Sequence, residues 1–101
     1  MNQLARKQES DMKLKMTIEI WAKSSRYIAK CPELDFVSQG ESPEEAKRNL
    51  LEVVEIQFDE MNEMGTLDEY LQECGYEVKN GNAIPMSEMV GFEKQAFQIG
   101  A

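Results

Sequence analysis

The sequence predicts an α+β fold: a three-stranded antiparallel meander, then a long amphipathic helix, a short helix and a closing hairpin or strand, in the order β-β-β-α-α-β-β. Three observations carry that prediction. Residues 13–21 alternate apolar and polar side chains with period two. The run Ser42-Pro43-Glu44-Glu45 is a helix-start signal, followed by helical spacing of apolar residues as far as Met64. Asn80-Gly81, a pair suited to a tight hairpin turn, separates two short runs of strand character.

At 101 residues the chain has the length of one domain. Its 42% apolar and 30% charged residues suit a globular domain and argue against wholesale disorder. Residues 1–12 are polar and unpatterned and read as a flexible lead-in, leaving residues 13–101 as the domain. No stretch approaches the roughly 20 apolar residues of a membrane span, so no membrane association is expected.

In the first strand Leu14, Met16, Ile18 and Ile20 share one face. A brief polar break at residues 23–25 favours a hairpin into a second strand, where Tyr27, Ala29 and Cys31 alternate with Arg26, Ile28 and Lys30. Pro32 has no amide hydrogen, so pairing is expected to lapse there and resume over residues 35–39. Gly40 is expected to let the chain turn sharply off the sheet. Ser42 then supplies the cap, Pro43 the first helical residue and Glu45 the carboxylate that reaches back to the cap. Ala46, Leu50, Leu51, Val53, Val54, Phe58, Met61 and Met64 gather in one arc of the helix, which Gly65 closes. Thr66 and Glu69 repeat the capping pattern for a short helix stopped near Gly75. After the hairpin, residues 89–101 hold Val90, Phe92, Phe97 and Ile99, consistent with a closing strand.

The chain has no histidine, and Cys31 and Cys74 have no metal-ligand spacing, so both read as small apolar residues in a reducing cytoplasm. No cofactor, metal or catalytic residue is assigned. Two-metal phosphodiester cleavage needs several convergent carboxylates, and the meander offers Glu19 alone at mid-strand, beside Glu33 and Asp35 in a turn. A degenerate nuclease acting through Glu19 is the weakest reading, and the chain is expected not to be an enzyme. Charge is more informative. Between Glu41 and Glu73 eleven acids face only Lys47 and Arg48, a net −9, while the rest of the chain, with eight acids and nine bases, sums to +1. Such a stretch repels nucleic acid and suits either a solvated helix face or a basic partner. Ile56 lies off the apolar arc among acids. Glu52, Glu55, Ile56 and Asp59 are therefore the candidate partner-binding residues.

The segment "YIAKCPELDFVSQGESPEEAKRNLLEVVE" resembles the HicB family of antitoxins: Cys31-Pro32-Glu33-Leu34, then Ser38-Gln39-Gly40, then Glu44-Glu45-Ala46 follow in the family's order, over about residues 14–58. The resemblance implies a partial ribonuclease-H-like β-β-β-α-β fold and a partner, a small basic HicA-type toxin that cleaves messenger RNA. Many members add a DNA-binding segment. Residues 66–101 carry only Lys79 and Lys94 as bases and no recognition helix, so direct DNA binding is not expected. The alternative reading is an orphan homo-oligomeric module, dimer or tetramer, with no toxin partner.

Overall fold

The computed structural model describes residues 12–100. Eight elements follow one another: β1 (Lys13–Leu14), β2 (Glu19–Lys23), β3 (Arg26–Cys31), β4 (Phe36–Gly40), α1 (Pro43–Met64), α2 (Leu67–Glu73), β5 (Tyr76–Lys79) and β6 (Asn82–Pro85). The antiparallel meander is β2-β3-β4, as expected. A second small sheet has the order β1-β6-β5, with β1 parallel to β6 and β5 antiparallel to it.

The expected first strand is thus divided. Period two runs unbroken through residues 15–18, but their backbone groups are claimed by side chains from elsewhere: the Tyr76 hydroxyl donates to the Lys15 carbonyl at 2.7 Å, and the Thr17 amide donates to Glu33 Oε1 at 2.9 Å. A side chain that satisfies a buried peptide group removes the need for a neighbouring strand at that point. The two flanking pieces are free to pair with different sheets.

The hairpin β2-β3 closes through the two residues Ser24 and Ser25, with Lys23 opposite Arg26 and Ser24 at φ 56°. After Cys31 the chain makes a compact turn through Pro32, in which the Cys31 carbonyl accepts from Leu34 and Asp35 amides at 3.3 and 2.8 Å. Asp35 adopts φ 61°, a left-handed conformation that Asp tolerates better than most residues. Strand β4 begins one residue later than expected.

Alternation along β3 turns Ala29 and Cys31 inward, where α1 lays Ala46, Leu50 and Val54 over them. Leu34 from the turn, Leu71 from α2, and Tyr76 and Ala83 from the second sheet complete the buried core. Phe36 joins the layers, meeting Phe58 edge-on at 6.1 Å and stacking on Tyr70 at 6.2 Å. Leu51 and Met64, expected on the buried arc, are exposed. Leu51 lies at the arc's margin beside Glu55, and Met64 belongs to the helix's last turn.

Gly65 caps α1 at φ 75°, the left-handed conformation expected of it. Thr66 departs from expectation: its side chain makes no cap bond to α2, and its hydroxyl points back to the Met61 carbonyl at 3.5 Å. The tight link between the helices draws the hydroxyl to the end of α1. Asn80 and Gly81 both take positive φ, 52° and 75°, in the turn between β5 and β6. The closing strand over residues 89–101 is absent from the described residues: from Ser87 to Gly100 there is neither helix nor strand. Of the expected lead-in, residues 1–11 lie outside the described residues, and Met12 packs half-buried against the core. No helix among the described residues is long and apolar enough to cross a membrane.

Candidate functional site

The candidate surface is the outward face of α1. Glu52, Ile56, Asp59 and Glu63 follow one another at intervals of four, three and four residues, which stacks them in one stripe, with Glu55 at its margin. All five are exposed, Ile56 at 59%. The structure brings the four predicted partner-binding residues together on one surface. Its inward counterpart is the buried row Ala46, Leu50 and Val54. The same helical period that builds the core therefore displays the acids.

Two features of this stripe run against helix stability. Glu52 and Glu55, Glu55 and Asp59, and Asp59 and Glu63 are like-charged neighbours three or four apart, each pair costing a few tenths of a kcal/mol. Asp59, Glu60 and Glu63 also crowd the carboxyl half of a helix whose last turn holds no base, where the dipole favours cations. A basic surface docked on the stripe would relieve both penalties. Glu44 and Glu45, by contrast, sit in the first turn, where the dipole stabilises them.

The residues assigned to the turn and cap are placed as expected with one correction. Ser42 Oγ accepts from the Glu45 amide at 3.0 Å, and Pro43 opens the helix, both as expected. The Glu45 carboxylate reaches past the cap and accepts from the Glu41 amide at 2.5 Å. Gly40 ends β4 directly before the chain turns into α1, as expected, and does so without positive φ. It is required by closeness: a methyl at this position would lie 2.6 Å from the Ala46 nitrogen and 2.9 Å from the Glu45 carbonyl carbon. Strand and helix approach one another there too tightly for any side chain.

One constellation was not legible in the sequence. Glu33 Oε2 accepts from the Thr17 hydroxyl at 2.5 Å while Oε1 takes the Thr17 amide and lies 3.7 Å from Cys31 Sγ. Partial burial raises the Glu33 carboxyl pKa, but the Thr17 hydroxyl and amide outweigh it and hold the group below its ordinary value. Burial, with Glu33 beside it, pushes the Cys31 thiol up to about 11, so it stays protonated and is no nucleophile at neutral pH. The group fastens the break after β1 to the turn after β3, a structural task. Glu19, the acid weighed for nuclease chemistry, accepts from Trp21 Nε1 at 3.1 Å. Among the described residues no three His, Cys, Asp or Glu side chains form a group that could hold a metal ion.

A groove of about 1040 Å³ is lined by β1, β6 and the residues that follow β6, with Leu14, Lys15, Ile84 and Met86 among them. It is open, and its lining adds Lys13, Asn82 and Glu88 to these residues. Compared with protein-family models, with curated proteins and with solved structures, the chain matches none.

Proposed function

We propose that this chain is a non-catalytic cytoplasmic protein-binding module of the HicB antitoxin type, whose acidic α1 face captures a small basic HicA-type toxin. The observation that carries the reading is the exposed stripe Glu52, Ile56, Asp59 and Glu63, with Glu55 beside it, on a helix whose opposite face is consumed by the core. Its charge would steer a basic partner and speed encounter, and Ile56 would lengthen the residence time by burying apolar surface at the centre of the contact. The like-charge repulsion stored in the free helix favours the bound state further. The segment Cys31 to Ala46, on which the resemblance to HicB rests, forms the turn, the edge strand and the helix start that hold this face in position.

Co-expression with a HicA-type toxin tests the proposal. The unmodified chain should restore growth, and the triple variant E52K/E55K/D59K should fail to do so while accumulating as folded protein. Equal rescue by both would contradict the assignment of this face. The second reading, a homo-oligomeric module, is favoured by a separate observation: the exposed apolar chain that follows Met86.

A further inference from the structure

The last backbone tie between the domain and the chain beyond it is the Met86 amide, which donates to the Gly75 carbonyl at 2.8 Å. Every residue from Ser87 to Gly100 is exposed. Val90, Phe92, Phe97 and Ile99 stand 95%, 84%, 86% and 85% open to water. Val90 and Phe92 are two apart, as are Phe97 and Ile99, so each pair falls on one face of an extended chain. The described chain accordingly has a radius of gyration of 17.1 Å, against about 13 Å for a compact domain of this length.

The two small sheets leave four edge strands among the described residues, β1, β5, β2 and β4. Among the described residues β2 pairs with β3 alone. Because Lys23 and Arg26 close a two-residue hairpin as a hydrogen-bonded pair, alternation turns the peptide groups of Trp21 and Glu19 toward β3 and those of Ile20 and Ala22 toward the free side. The side chains of Ile20, Trp21 and Ala22 are exposed, with Trp21 at 56%. Of the other edges, β1 is only two residues long, the Gln39 carbonyl on β4 accepts from Asn49 Nδ2 at 2.9 Å, and β5 presents Glu77 and Lys79 to water.

We propose that residues 87–100 are an exchange arm, which adds as a strand to the free edge of β2 in a second copy of this chain, reciprocally about a two-fold axis. The unpaired amides of Ile20 and Ala22 supply the backbone partners, and Trp21 and Ile20 offer apolar surface on either face of the edge to Val90, Phe92, Phe97 and Ile99. Extended, the 14 residues of the arm span at most about 50 Å, enough to cross to a neighbouring domain whose shorter widths are 30 and 19 Å. Two arms, each burying two phenylalanines at roughly 150–250 Å² apiece together with Val90, Ile99 and the strip that receives them, exceed the roughly 1,200 Å² at which specific interfaces become stable. The inference does not depend on toxin capture by α1, because it uses neither the acidic stripe nor its charge.

The test is sedimentation velocity of the full chain at micromolar concentration, joined to hydrogen exchange at single amides. The unmodified chain sediments as a dimer. F92D/F97D weakens the dimer by at least about 100-fold and leaves the far-ultraviolet circular dichroism unchanged, since both side chains are exposed and neither belongs to the core. The Ile20 and Ala22 amides are protected in the dimer and exchange freely in F92D/F97D. Three results overturn the proposal: a chain that remains monomeric throughout, a dimer that survives F92D/F97D, or Ile20 and Ala22 amides that exchange equally fast in both proteins. The triple variant E52K/E55K/D59K remains dimeric, which separates failure of this proposal from failure of toxin capture.

Discussion

Nine of the 22 residues of α1 are apolar, and so are six of the 14 from Ser87 to Gly100, yet one segment builds the core and every residue of the other is exposed. Apolar content does not explain the difference. Spacing does: Ala46, Leu50, Val54, Phe58 and Met61 recur every three or four residues and so make one continuous stripe, for which the inward faces of β3 and β4 are a matching surface. The arm holds two separated pairs of period two. An extended chain with such pairs is completed by a strand edge beside it, and within its own domain residues 87–100 pair with none.

The contrast can be broken or sharpened by substitution, beginning with the core. Leu50→Ala, at a fully buried position, should lower unfolding stability by about 2–5 kcal/mol in chemical denaturation, independently of protein concentration. Gly40→Ala should follow, at about 1–3 kcal/mol, because the added methyl meets backbone atoms of Glu45 and Ala46 that cannot rotate away. Ser42→Ala should cost about 1 kcal/mol through the lost bond to the Glu45 amide.

The Glu33 clasp gives a pH signature. Its carboxyl is held below the ordinary 4.5, so the native state binds the proton less readily than the unfolded chain. The stabilisation is complete above 4.5 and disappears as pH falls through the native value. Acid titrations of unfolding should show this loss in the unmodified chain and a flatter profile in Glu33→Gln. Cys31 has the opposite sign: its raised value means that stability is full below pH 9.0 and declines toward about 11, a decline that Cys31→Ser should reduce. At the small end of the scale, Phe97→Ser should leave the intrinsic stability of the domain unchanged and lower the melting temperature only at concentrations where copies associate.

Much of the fold is legible locally. The limits and caps of α1, its buried row, the lapse at Pro32 and the Asn80-Gly81 turn all follow from signals within a few residues of where they act. What escaped is set by contacts distant in sequence. The interruption at residues 15–18 depends on Glu33 and Tyr76, separated from their partners by 16 and 61 positions, and nothing in the alternation of Met16 and Ile18 announces it. Gly40 was recognisable as necessary, but the approach of the helix backbone that makes it so is visible only in three dimensions. The candidate stripe was legible because a helical period alone puts Glu52, Ile56 and Asp59 together. Its exposure needed the sheet on the other side. The arm misled for a physical reason, since its period-two pairs are those of a strand and only its missing neighbour keeps it from being one.

Capture of a basic partner by the acidic face is the claim from which the functional account proceeds, and calorimetric titration of a HicA-type toxin into the full chain at low and high salt tests it most directly. The account predicts saturable binding that weakens as salt rises, and a loss of at least about tenfold in affinity for E52K/E55K/D59K with a shallower salt dependence. Binding of equal strength and equal salt dependence in the two proteins, or no heat from the unmodified chain at all, would contradict it.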